Sequence, residues 1–78
     1  VAELKFEISN KLGVIGQSSK GWKKELNLVS WNDRKPKADL RDWDEFHEKM
    51  GKGLTFTKEE LINLKNLLND LDLDSLDI

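Results

Sequence analysis

The run from Glu25 to Trp43, ELNLVSWNDRKPKADLRDW, constrains the fold more than any other stretch of the chain. Side chains on a strand alternate with a period of two, so Leu26 and Leu28 point one way while Asn27, Val29 and Trp31 point the other. Asn32 and Asp33 are turn residues. Beyond Pro36 the alternation resumes: Ala38 and Leu40 can join the Leu26 and Leu28 face, and Lys37, Asp39, Arg41 and Trp43 take the opposite one. The pattern predicts an antiparallel hairpin with the leucine face turned to the core. The other face would display Trp31 and Trp43 among basic residues.

The flanking segments extend this hairpin into a sheet. Leu4 to Ile8 alternates as a half-buried first strand, and Leu12 to Ile15 prolongs it, with Gly13 marking a bulge. GQSSKG, residues 16–21, is a polar turn, and Trp22 opens the next strand. Residues 44–53, DEFHEKMGKG, sustain no period and predict a loop, with Leu54, Thr55 and Phe56 as a short fourth strand. Thr57-Lys58-Glu59-Glu60 is a capping box that starts a helix, and Leu61, Leu64, Leu67, Leu68 and Leu71 form its apolar stripe. Ile62 lies off that stripe. From Asn69 the sequence NDLDLDSLDI alternates acidic and apolar residues, as in a disordered interaction tail or a final strand. The expected fold is α+β: a four-stranded antiparallel sheet followed by one C-terminal helix (β-β-β-β-α) over residues 1–70, with an acidic tail over 71–78.

A domain of 78 residues buries a thin core, and at this size a disulfide, a metal or an oligomer usually supplements it. With no cysteine and one histidine, the usual disulfide and zinc frameworks are excluded. Self-association remains, and the sequence predicts a homodimer whose interface includes Leu61, Ile62, Leu64 and Leu68. No apolar run approaches the roughly 20 residues of a membrane span, and no charged-then-apolar leader precedes the first strand. A soluble, cytoplasmic protein without a membrane partner is therefore expected. The start at Val1 implies an initiator or short leader removed or left out. His47 has no second histidine beside it, and Asp42, Asp44 and Glu45 have no nucleophile, so the expectation is a protein that is not an enzyme and holds no metal or cofactor.

The net charge of −2 conceals an asymmetry. Residues 11–37 set seven basic side chains against Glu25 and Asp33, a net +5, whereas residues 57–78 set Lys58 and Lys65 against six acids, a net −4. Local fields steer a polyanion. Basic residues interleaved with tryptophan suit a single strand, because bases stack on aromatic faces while cations follow the phosphates. The competing reading is a protein-interaction module that uses the exposed tryptophans and the acidic tail.

The order of two hairpins, Asp39-Leu40-Arg41 with an aromatic soon after, Gly51-Lys52-Gly53 entering the fourth strand, and a capped terminal helix resembles the positive cofactor 4 family of transcriptional coactivators. The similarity is to its short, stand-alone bacterial branch and spans roughly Phe6 to Leu68. The resemblance implies a homodimer joined through its helices that binds single-stranded DNA without strong sequence preference, in transcription, replication or repair. RNA is equally compatible with stacking. The family's basic and aromatic strand positions correspond best to Trp31, Lys35, Arg41 and Lys52, with Trp43 near the second aromatic position. Trp22, Lys24, Arg34 and Lys37 complete the expected nucleic-acid-binding set.

Overall fold

Four consecutive strands, β1 (Phe6–Gln17), β2 (Lys23–Trp31), β3 (Lys37–Trp43) and β4 (Met50–Phe56), form an antiparallel meander in the order β1-β2-β3-β4. Helix α1 (Lys58–Asp70) follows, and a single 3₁₀ turn covers Leu73–Ser75. This computed structural model describes residues 5–18 and 20–78, so the expected start of the first strand at Leu4 lies outside the described residues. The expected β-β-β-β-α order is the one observed. The tail carries the 3₁₀ turn instead of a strand.

The central hairpin forms as expected with these residues on one shared face, and its register sets Leu26 opposite Leu40 and Leu28 opposite Ala38. Its turn is set by Asn32 and Asp33, at φ 52° and 63°, and by Arg34 N–H donating to the Trp31 carbonyl at 3.0 Å. Two consecutive positive φ angles define the mirror-image turn whose twist suits a hairpin. The capping box also forms, with the Glu60 amide donating to Thr57 Oγ1 at 3.1 Å and the Thr57 amide to Glu60 Oε1 at 2.8 Å.

Strand β4 begins at Met50, four residues before the expected Leu54, because its glycines sit within the ladder. Gly53 faces Arg41 across the β3–β4 pair so closely that a side chain could not fit. A glycine that reads as loop in sequence here permits a close strand approach.

The second correction concerns which face of the sheet is inside. Glu25, Asn27, Val29, Asp39 and Trp43 are buried, whereas Leu26, Leu28 and Leu40 are half-buried and only Ala38 on their face is fully covered. Curvature explains the reversal. Phe6 pairs with Trp31 and Lys23 with Trp43, so the two pairs lie eight residues apart on β2, about 26 Å along a flat strand. The Phe6 and Trp43 ring centroids are nevertheless 5.1 Å apart. The sheet must coil to bring them together, and three register shifts in β1, at Ile8/Asn10, Lys11/Gly13 and Val14/Gly16, are the bulges that bend it. One of them falls at Gly13, as expected. The face with the larger aromatics closes on itself and becomes the core, while α1 covers only part of the leucine face.

Candidate nucleic-acid interface

Trp43 is fully buried, tilted against Phe6 at 5.1 Å and against His47 at 5.6 Å between ring centroids. The expectation that it offers a face to a base is therefore corrected. A ring with no exposed surface contributes packing, as large aromatics do in small cores. Trp31 lies on the same face of the coiled sheet but is only half-buried. One side of its ring meets Phe6 at 5.9 Å, and the Arg41 guanidinium stands 4.6 Å from its centroid. The Nε1 donors of both indoles are buried without a protein acceptor, so packing and not hydrogen bonding holds these rings.

Arg41 is committed to the protein. Its Nε donates to Asp39 Oδ1 at 2.6 Å and its Nη2 to Asp39 Oδ2 at 2.7 Å, while Nη1 reaches the Gly51 carbonyl at 3.3 Å. A fork-to-fork pair of this kind satisfies the fully buried Asp39 carboxylate. The pair runs along β3, between residues two apart on one face. Arg41 thus acts as a plate over Trp31 that is fixed from below, and its charge is largely spent on Asp39.

The remaining expected cations divide between regions. Arg34 and Lys35 are exposed in the link between β2 and β3, and Lys37 is exposed at the start of β3, opposite Val29. Together they surround the end of the hairpin that carries Trp31. Among the described residues the ion pairs are Arg41–Asp39 and His47–Glu25, and none of them involves Arg34, Lys35 or Lys37. Lys24 is exposed but belongs to the leucine face, opposite Asp42. Lys52 is exposed on the edge strand β4. Trp22 is half-buried just before β2, at the far end of the hairpin from Trp31.

Three residues outside the expected set matter to this surface. Phe6 supports both tryptophans, and a lone aromatic in an alternating strand carries no sign of that partnership. His47 Nε2 lies 2.9 and 3.1 Å from the two Glu25 carboxylate oxygens and ties the β3–β4 loop to β2. Burial alone raises the Glu25 carboxyl, but hydrogen bonds from Asn27 and His47, with the charges of His47 and Lys11, outweigh it and hold it below its ordinary value. Phe46 is 72% exposed in the same loop and shares an open hollow with Trp22, Lys20 and Lys23. An aromatic between charged residues was its one sequence signal. No group of three or more residues able to hold a metal occurs among the described residues.

The expected helix residues line an open apolar surface. Leu61 and Leu64 are half-buried, Ile62 and Leu68 remain 48% and 44% exposed, and all four border a shallow depression with Leu26. No residue of α1 is buried within one chain. No helix among the described residues is long and apolar enough to cross a membrane.

A coiled antiparallel meander with one capped helix and a cationic, aromatic hairpin end defines a small α+β domain. The sequence profile of the family described as Transcriptional Coactivator p15 (PC4) matches residues 18–67, more than half of the chain, and the chain belongs to that family. It is also 42% identical over 69 residues to an uncharacterized protein of Treponema pallidum (strain Nichols), covering 88% of this chain and 81% of that one.

Proposed function

We propose that the protein binds single-stranded nucleic acid, DNA in the first place, as a homodimer and without strong sequence preference. The observation that carries this reading is that Arg34, Lys35 and Lys37, at the hairpin end that carries partly buried Trp31, have no ion-pair partner among the described residues. Cations that spend no charge inside the protein are available to phosphates, and an aromatic beside them can stack an unpaired base. Family membership supports the same reading. The pairing of two copies follows from α1, whose apolar face finds too little partner within one chain. The role is non-catalytic and belongs to transcription, replication or repair in the cytoplasm.

Fluorescence anisotropy with a labelled oligonucleotide tests the binding. A single strand is expected to bind more tightly than a blunt duplex of the same sequence, with affinity falling as salt rises by a slope of about 0.7 per phosphate contacted. Equal affinity for the duplex would sink the single-strand reading. A sedimentation mass of one chain at micromolar concentration would sink the dimer.

A further inference from the structure

A groove of about 530 Å³ lies between the start of α1 and the β2–β3 hairpin, on the leucine side of the sheet. Its apolar floor includes Leu28, Ala38, Phe56 and Leu61, and Lys35 and Lys58 border it. An apolar trough with cationic edges fits a segment that alternates apolar and acidic residues. The chain contains one such segment: Leu71, Leu73, Leu76 and Ile78 are 43%, 54%, 42% and 109% exposed, and Asp72, Asp74 and Asp77 between them are exposed with no cationic partner among the described residues.

We infer that the segment after α1 of one copy docks in this groove of the second copy, placing its leucines on the floor and its aspartates against the lysines. The inference rests on the pairing proposed above. Within one copy the segment leaves α1 at the end opposite the groove, about 20 Å away along a helix of 13 residues. When the exposed faces of two α1 helices pack antiparallel about a twofold axis, the C-terminal end of each helix lies beside the N-terminal end of its partner. That arrangement also opposes the helix dipoles. Each segment then emerges next to the other copy's groove. Because Lys35 belongs both to the groove and to the cation cluster around Trp31, a docked segment competes with a nucleic-acid strand for it. The acidic segment is a built-in competitor, weak enough to be displaced and strongest at low salt.

The sign of one substitution separates this device from general charge attraction. Lys58→Glu in the full chain removes a cation, so attraction alone would weaken oligonucleotide binding. Release of the docked segment is expected instead to tighten it by about three- to tenfold at low salt, and the gain fades as the Debye length falls below about 10 Å. Combining Lys58→Glu with Asp72→Asn, Asp74→Asn and Asp77→Asn should then add less than the two changes give separately. Weaker binding by Lys58→Glu, or full additivity, would overturn the inference. The chain contains no cysteine, which allows a direct second test. Full chains carrying Lys58→Cys and full chains carrying Asp74→Cys, mixed and oxidised, are expected to give a covalent pair that neither forms alone. No such pair, from material whose sedimentation mass is two chains, overturns the docking and leaves the dimer standing. A mass of one chain overturns both.

Discussion

Gly53 lies so close to Arg41 that a Cβ built on it would stand 2.5 Å from the Arg41 Cβ and 2.5 Å from the Leu40 carbonyl oxygen. Neither atom can swing aside, since one is fixed to the backbone and the other is part of it. Gly53→Ala should therefore force β3 and β4 apart and cost about 1–3 kcal/mol, read as a lower urea midpoint. Gly51→Ala is the internal control, because its nearest neighbour would be the Asp42 Cβ at 3.7 Å, an ordinary contact.

Arg41→Ala should unfold the protein before it reports on binding. Asp39 has no exposed surface, and removal of its partner strands a carboxylate in the core at a cost of about 3–5 kcal/mol. Thermal unfolding checks this. The double replacement Asp39→Leu with Arg41→Met should recover most of the loss, since it removes both charges together. An Arg41→Ala protein with unchanged stability and weakened oligonucleotide binding would return Arg41 to the ligand surface.

The Glu25 carboxyl, held below its ordinary value of 4.5, makes stability depend on acid. The folded chain resists protonation there more than the unfolded chain does. Its contribution is complete above 4.5 and is lost as pH falls from there through the lowered folded value. Glu25→Gln should flatten the dependence of the urea midpoint on pH in that acid range. His47→Ala should reduce it partway, by removing one of the donors that depress the carboxyl.

Trp31 and Lys35 should separate stacking from charge. Trp31→Ala is expected to weaken single-strand binding by about 1–3 kcal/mol with the salt slope unchanged. Lys35→Ala should lower that slope by about 0.7. Titrations at three salt concentrations distinguish the two.

Strand alternation made the central hairpin and the grouping of its two faces legible, because Leu26, Leu28, Ala38 and Leu40 repeat with the period that a strand requires. The capping box was equally plain, since its two hydrogen bonds join residues three apart. The inside of the sheet was not legible. A period of two divides a strand into faces without saying which one closes, and here closure depends on bulges in β1 that carry Phe6 over to Trp43. For that reason Trp43 read as a displayed aromatic when it is core. Gly51 and Gly53 misled for a related cause: a glycine permits both a loop and a close strand approach, and only the neighbouring Arg41 decides between them.

The bulges of β1 also bear on solubility. In the order β1-β2-β3-β4 this strand is an edge, and its exposed Leu12, Val14 and Ile15 form the kind of apolar run that recruits another chain's strand. A regular edge would offer evenly spaced backbone donors and acceptors as a template for fibre growth. Three register breaks within 12 residues destroy that spacing, so an incoming strand finds no long run of matching partners. The irregularity that bends the sheet also makes its edge a poor seed for aggregation.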